Sequence, residues 1–217
     1  MKYFNHCYYI NLKKRFDRKN HFLNKVIPFL NIKKNDYSRI NAIDTTSENS
    51  ISLRALGCTL SHLKTLEKAQ SSNFHSVLIL EDDFDPLVSS DTFYKYLHCL
   101  YTKHPDFNLC QISYNDEVGY DVTKGEPIDK SGYVLFSPNV QTTSGYIVKN
   151  SFISKILPAI EESAEQLKLG GSQKTWAIDV VWKKFQKREN KWYLLKRSGK
   201  QLEDFSDIEG MNVNYNC

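Results

Sequence analysis

The chain has no apolar run approaching the ~20 residues that a membrane-spanning helix needs. Its first ten residues, with His6 among them, lack the apolar stretch of a secretion signal. It has no C-x-x-C pair. Its five cysteines, Cys7, Cys58, Cys99, Cys110 and Cys217, are scattered and odd in number. That pattern fits reduced thiols, mostly in the core, and argues against a disulfide frame or a zinc site. N-x-[ST] sequons are absent, in keeping with a chain that does not traverse a secretory route. No internal repeat or low-complexity tract occurs. A large excess of one charge is also missing. The net charge of +4 does not point to nucleic acid, though it favours attraction of a phosphorylated small molecule. Arginine is scarce, 6 against 23 lysines, a bias that fits an AT-rich coding sequence as well as any chemistry.

What is present is one domain's length of chain, 217 residues, with 41% hydrophobic and 25% charged. That allows a sizeable core. The most informative stretch is Ser76-Val77-Leu78-Ile79-Leu80-Glu81-Asp82-Asp83-Phe84-Asp85. Residues 77–80 read as a strand buried on both faces. Three like charges at its end repel one another and resist leaving water. A divalent cation with hard oxygen ligands, Mg²⁺ or Mn²⁺, would remove that conflict. A solvated acidic turn would avoid it. The residues alone leave both readings open.

Around this stretch, 6–11 reads as a short strand. Residues 15–30 read as a basic amphipathic helix with Phe16, Phe22, Leu23 and Val26 inward, and 37–42 as a second strand. Leu56, Leu60, Leu63 and Leu66 recur at helical spacing and predict a helix over 53–70. The alternation predicts an α/β fold, one domain over 1–217, with a mixed, mostly parallel central sheet flanked by helices. Acids at the carboxyl end of such a strand face the crevice where open α/β sheets bind ligands. Further on, 91–100 reads as a helix capped by Asp91 or Ser90. Residues 109–113, 133–136 and 145–148 read as strands. Residues 150–167 read as a helix that Pro158 should kink or divide, Gly170-Gly171-Ser172 as a loop, and 178–187 as a helix with Trp182 and Phe185 inward. Residues 198–217 show no periodicity: a disordered tail, or a loop that folds over a ligand.

Three other constellations carry chemistry. Asn11-Leu12-Lys13-Lys14-Arg15-Phe16-Asp17-Arg18 follows the first strand. Arg15 and Arg18 share one face of a helix start, where amides and guanidinium groups can hold a diphosphate. Equally, a basic helix start can simply face water. Ser61 and His62 sit beside a leucine stripe, and a hydrogen-bonded interior pair is the plainer use for them. Asp179 lies among large apolar residues, between Trp176 and Trp182. Such a carboxylate can act as a base, and tryptophan faces suit sugar rings. A helix-capping Asp is the other reading.

In this order the pieces resemble glycosyltransferase family 25, the relatives of bacterial lipooligosaccharide galactosyltransferases and of collagen galactosyltransferases. The resemblance is carried by Tyr9-Ile10-Asn11-Leu12 with Arg15 and Arg18, then Gly57-Cys58-Thr59-Leu60-Ser61-His62-Leu63, then Leu78-Ile79-Leu80-Glu81-Asp82-Asp83. Thr143-Ser144-Gly145-Tyr146-Ile147-Val148 and Asp179 follow. Residues 201–215, with Ser206-Asp207-Ile208-Glu209, look like the ending of related proteins from large DNA viruses, without the proline and aromatic pattern expected before Ser206.

The resemblance implies a GT-A-type fold, a UDP-sugar donor and a Mn²⁺ or Mg²⁺ ion. It implies inverting transfer of a hexose, galactose or glucose, to a hydroxyl of a glycan or of a hydroxylated protein side chain. Glu81-Asp82-Asp83 stands at the Asp-x-Asp-type position, with Asp82, Asp83 and Asp207 as expected metal ligands. Asn11, Arg15, Arg18, Ser61, His62 and Glu81 are the expected donor-binding residues. Asp179 is the expected base, with Asp116, Glu117 and the Ser206-Asp207 segment next in line. Residues 198–217 are expected to fold over the site. No nucleic-acid partner or membrane span is expected, and the location is cytoplasmic, in a host cytoplasm or virion if the chain is viral. Two other classes share these acids: a metal-dependent phosphohydrolase or nucleotidyltransferase, and a non-catalytic nucleotide-sugar- or glycan-binding descendant.

Overall fold

The structure, a computed structural model, describes residues 3–45, 47, 50–116 and 126–213. Strand β1 is His6–Asn11. Helix α1, Phe16–His21, continues through a π-helical turn, Phe22–Val26, into α2, Ile27–Leu30. Pro28 accounts for the wide turn. It has no N–H to give the carbonyl four residues back, and its ring crowds that carbonyl. Next come β2 (Tyr37–Asn41), α3 (Ile51–Gln70), β3 (Ser76–Glu81), β4 (Phe84–Pro86) and α4 (Ser90–Lys103). They are followed by β5 (Leu109–Asp116), β6 (Glu126–Pro127), β7 (Val134–Phe136), β8 (Val140–Lys149) and α5 (Asn150–Lys168). Two short helices, α6 (Gln173–Trp176) and α7 (Ile178–Val181), lead into a 3₁₀ turn, Trp182–Phe185. Strands β9 (Trp192–Leu195), β10 (Gly199–Gln201), β11 (Asp204–Ser206) and β12 (Met211–Val213) complete the described chain.

The central sheet has the order β2-β1-β3-β8-β5-β9-β7-β6. β1 runs parallel to β2 and β3, and β5 runs parallel to β9. β8 is reversed against β3 and β5, and β7 against β9 and β6. Six of the eight strands therefore point one way, which is the mixed, mostly parallel sheet that the alternation predicts. Alternate residues feed opposite faces. Cys7, Tyr9, Leu78 and Leu80 pack with Phe22, Val26 and Leu30 and with α4. Tyr8, Ile10, Val77 and Ile79 pack with Leu66 and Ala69 of α3 and with α5. The crossover from β1 to β2 thus covers one face and the crossover from β2 to β3 the other. The winding reverses at β1 and β3, and their carboxyl ends border a crevice of the kind that binds ligands.

Several sequence expectations shift in the structure. Phe16 is 65% exposed, not inward. Phe22 and Val26, four apart, set the buried face, and Phe16 lies about a third of a turn from it. The cap of α4 is Ser89, whose Oγ accepts the Thr92 N–H at 3.2 Å, in place of Asp91 or Ser90. Pro158 does not divide α5. An interior proline costs about 3 kcal/mol, whereas Ile153, Ile156 and Ile160 are fully buried around it and each contributes about 1.5–3 kcal/mol. Residues 178–187 do not form one helix; α7 tightens to 3₁₀ after Val181, with Trp182 buried and Phe185 half-buried. Cys7, Cys99 and Cys110 are buried free thiols, and Cys58 is a half-buried one. Cys217 and Glu117 lie outside the described residues. Among the described residues, no helix is long and apolar enough to cross a membrane.

Gly57 shows how closely α3 meets the loop after β2. A Cβ there would sit 2.3 Å from Thr45 Oγ1 and 2.8 Å from the Ile43 carbonyl oxygen. Gly57→Ala gains about 1 kcal/mol in helix propensity but must push backbone away, an overpacking cost of about 1–3 kcal/mol. The expected outcome is a net loss of stability, read as a lower urea midpoint at unchanged slope. A variant as stable as the parent would show that the loop yields freely.

Candidate active site

β3 delivers Glu81, and the turn after it delivers Asp82 and Asp83, to the carboxyl ends of β1 and β3. All three side chains are largely buried, and each finds a different partner. Asn11, the last residue of β1, donates from Nδ2 to Asp82 Oδ2 at 2.6 Å. Arg18 Nη1 lies 3.3 Å from both Asp82 Oδ1 and Asp83 Oδ2, so one guanidinium bridges the two carboxylates. Gln201 Nε2 donates to Asp83 Oδ2 at 3.4 Å. Asp83 Oδ1 is buried with no hydrogen-bond partner. Asp85 belongs to a different neighbourhood, paired with Lys25 at 2.5 Å.

Glu81 turns toward α3. Its Oε1 accepts the Thr143 hydroxyl at 2.5 Å and the His62 Nε2–H at 3.3 Å. His62 Nδ1 meets the Tyr146 hydroxyl at 3.0 Å. Ser61 bonds the backbone on both sides. Its hydroxyl donates to the Gly57 carbonyl at 2.6 Å and accepts the Ile43 N–H at 2.9 Å, so it ties the loop after β2 to α3. It also borders the cleft.

The cleft has two lobes. The first lies between the strand ends, α3 and the tail, and includes Arg18, Arg54, Asp82, Asp83 and Asp207. The second includes Thr142, Thr143, Lys174 and Asp179. Cys58, Glu81, Gln201 and Ile208 border both. The tail, described through Val213, borders the first lobe with Gln201, Leu202, Ser206, Asp207 and Ile208. β10 pairs antiparallel with β4, and the Leu202 N–H donates to the Asp83 carbonyl at 2.8 Å. Asp207 Oδ2 accepts from Arg15 Nη1 at 2.8 Å. Asp207 thus faces Arg15, with Lys14 3.9 Å away.

In the second lobe, Asp179 Oδ2 accepts the Thr142 N–H at 3.2 Å. Thr142 has φ 74°, a left-handed backbone that a β-branched residue adopts only under constraint, at about 1–3 kcal/mol. The constraint is visible. Its carbonyl accepts from Gln111 at 3.0 Å and its hydroxyl donates to Gln201 Oε1 at 3.2 Å. The tryptophans do not serve Asp179 as a sugar platform. Trp182 is fully buried, edge-on to Tyr146 and Trp192, and Trp176 packs with Leu56, Ala164 and Leu167. Both rings are worth more as core than as exposed surface. Asp116 ends β5, and its side chain lies outside the described residues.

Residues 4–169 match the sequence profile of Glycosyltransferase family 25 (LPS biosynthesis protein), about three quarters of the chain. The chain belongs to this family. No curated protein matches it. Among solved structures, it is similar to a glycosyltransferase involved in glycosylation of the major capsid of PBCV-1, at 10% identity over 94% of each chain and a TM-score of 0.48. It is also similar to A197 from STIV, at 12% identity over 97% of this chain and 95% of that one, with a TM-score of 0.43. A third is a Drosophila galactosyltransferase 7 mutant in complex with manganese, UDP-Gal and xylobiose. There the identity is 15% over 69% of this chain and 50% of that one, with a TM-score of 0.35. Likenesses this distant leave the site to be argued from its own residues.

In this family 25 glycosyltransferase, the carboxylate pair fits a hard divalent cation. Asp83 supplies a buried oxygen with no partner, and Asp82 a second carboxylate beside it. Burial pushes Asp83 up to about 7; Glu81 and Asp82 add to the rise, against Arg18 and Gln201. Burial also raises Asp82, against the pull of Arg18 and Asn11. Glu81 is pressed the same way by burial, but His62, Thr143 and Arg18 overcome it and hold its carboxyl below the ordinary value. Burial raises Asp179, opposed by the Thr142 N–H. The sequence reading missed Thr142 and Arg54 as cleft residues. Thr142 gives no signal, because a β-branched residue is the last expected at positive φ; Arg54 precedes the glycine motif and offers only its charge.

The Asp83 shift gives stability a pH dependence in metal-free protein. Between its ordinary value and about 7, the folded chain holds a proton that the unfolded chain releases. Stability therefore falls as pH rises through that window. Thermal melts in EDTA should show Tm dropping across it, and Asp83→Asn, which has no such proton, should flatten the slope. Equal slopes for both proteins would place the titration elsewhere.

Proposed function

We propose that the protein is an inverting, metal-dependent hexosyltransferase that moves galactose or glucose from a UDP-sugar to a hydroxyl of a glycan or of a hydroxylated protein side chain. The observation that carries this reading is the carboxylate pair at the head of β3. Asp82 and Asp83 converge on the Arg18 guanidinium, while Asp83 keeps a second, buried oxygen unpaired. Family membership supplies the reaction class. The two-lobed cleft supports two substrates that meet near Glu81.

The first lobe takes the donor. Asp82 and Asp83 would hold Mn²⁺ or Mg²⁺, which when bound supplies Lewis-acid stabilisation of the leaving diphosphate. Arg18 and Arg15 face that lobe or its rim and carry charge-assisted contacts for phosphate oxygens. Asn11 keeps Asp82 oriented. Asp207 pairs with Arg15 and so ties the tail to the first helix beside the donor lobe, where its carboxylate also lines the cleft with Asp82 and Asp83. The closed tail excludes water, which would otherwise take the sugar.

Asp179 is the base of the second lobe. Its carboxylate accepts the acceptor's hydroxyl proton as that oxygen bonds to the sugar's anomeric carbon. The carbon's bond to the diphosphate oxygen breaks, and the leaving group keeps the electron pair. Attack from the face opposite the leaving group inverts the centre. Partial burial of Asp179 makes its carboxylate a stronger base than a solvated one, and the Thr142 N–H fixes which oxygen is free.

A panel of nucleotide sugars with Mn²⁺, scored for binding, hydrolysis and transfer, tests the reading. UDP-hexose turnover is expected. Turnover of nucleotides without sugar transfer would favour a phosphohydrolase or nucleotidyltransferase, and binding without turnover a non-catalytic protein. Asp83→Asn should abolish metal-stimulated donor turnover. Asp179→Asn should keep donor binding by calorimetry yet lose transfer by about 10²–10⁴-fold. Normal transfer by that variant would move the base elsewhere.

A further inference from the structure

Where the two lobes meet, Cys58, His62 and Glu81 form a group that transfer chemistry alone does not explain. Cys58 and His62 are four apart on α3, so they lie on one face of the helix. Glu81 comes from the end of β3. One ligand atom from each, a thiol sulfur, an imidazole nitrogen and a carboxylate oxygen, lie within 4.8 Å of one another. Ligands on a tetrahedral Zn²⁺ stand roughly 3.3–3.8 Å apart, given bonds of about 2.0–2.3 Å. A contraction of about 1 Å would bring the three onto one ion. We propose that Cys58, His62 and Glu81 bind a borderline-soft divalent cation, Zn²⁺, at a site distinct from the Asp82–Asp83 pair.

The surroundings are built for it. Tyr146 meets His62 Nδ1 at 3.0 Å. A hydroxyl can accept the Nδ1–H as readily as donate to the bare nitrogen, so the ring can present Nε2 as a ligand with its other nitrogen held. Thr143 Oγ1 touches both other ligands, at 2.5 Å from Glu81 Oε1 and 4.0 Å from Cys58 Sγ. Three protein ligands leave a fourth position, and both lobes of the cleft border Cys58 and Glu81. That makes an open site, not a closed structural one. The donor set also separates the two sites: a thiol and an imidazole favour zinc, while a pair of aspartates favours magnesium or manganese. The scattered cysteines argue against zinc only on sequence spacing, and here one cysteine suffices because its partners are a helical turn and a strand away. An ion at this junction closes the passage between the lobes and so inhibits transfer. That consequence rests on the transfer reading, whereas the binding does not.

The test is Zn²⁺ calorimetry and Co²⁺ absorbance on the full chain, in wild type and in Asp83→Asn. One tight Zn²⁺ site that persists in Asp83→Asn, with a sulfur-to-cobalt charge-transfer band, is expected. Cys58→Ser should remove the band and weaken Zn²⁺ by about 100-fold or more, above the 10–100-fold typical of an outer partner. Glu81→Gln, which keeps the thiol, should weaken Zn²⁺ while the band survives at higher Co²⁺. Zn²⁺ binding that vanishes in Asp83→Asn, or that is unchanged in both Cys58→Ser and Glu81→Gln, overturns the proposal. Neither outcome depends on sugar transfer.

Discussion

Three carboxylates at the end of a strand buried on both faces must be given positive charge or protons, and the rest of the site follows from how the chain meets that demand. Each acid is answered from a different element. Glu81 is answered by α3 through His62, Asp82 by the end of β1 through Asn11, and Asp83 by the tail through Gln201. Arg18 bridges the last two from the first helix. Charge repulsion that would weaken an isolated strand end here draws four elements together. Breaking one such partnership leaves a buried acid uncompensated, which is more damaging than the pair itself is stabilising.

The same demand explains why the crevice lies at β1 and β3. The helices after β1 and β2 cover opposite faces of the sheet, so neither roofs the ends of β1 and β3. Roofing falls to the tail. It joins the first lobe through Asp207 and Arg15 and the second through Gln201 and Thr142. Gln201 spans the two, with its amide nitrogen on Asp83 and its oxygen on the Thr142 hydroxyl. Strain at Thr142 is therefore held by the segment that borders the first lobe, and the two lobes are mechanically one.

Much of this was legible in the sequence where local chemistry decides. The apolar run into Glu81-Asp82-Asp83 marked the buried strand, and the α/β alternation set its acidic end at the crevice, while a solvated turn and a cation site stayed equally open for the three acids. Leu56, Leu60, Leu63 and Leu66 marked α3 because a leucine stripe has one period. The tail was opaque. Its strands have three residues each, and β10 acquires its conformation only by pairing with β4, a partner more than a hundred residues earlier. Trp176 and Trp182 misled for a related reason. Tryptophan beside an acid has the same sequence signature whether its ring faces a sugar or the core, and only packing against Tyr146 and Trp192, or against Leu56 and Leu167, tells which. Ser61 returns its proton to the Gly57 carbonyl four residues back, a habit of helical serines that spacing alone does not separate from a cleft role.

The pairing of β10 with β4 also sets a rule of counting. Gly199 opposes Pro86 and Gln201 opposes Phe84. A Cβ on Gly199 would fall 2.1 Å from the Phe84 ring, so no other residue fits against that ring without displacing it. β9 is fixed in the central sheet by β5, which leaves only residues 196–198 to span the distance to β10. One residue more or fewer in that span would turn every side chain of β10 to the opposite face. Gln201 would then point away from Asp83, and a neighbour with a side chain would meet the Phe84 ring. The short link after β9 is thus free to vary in composition but not in number, and the site depends on its parity.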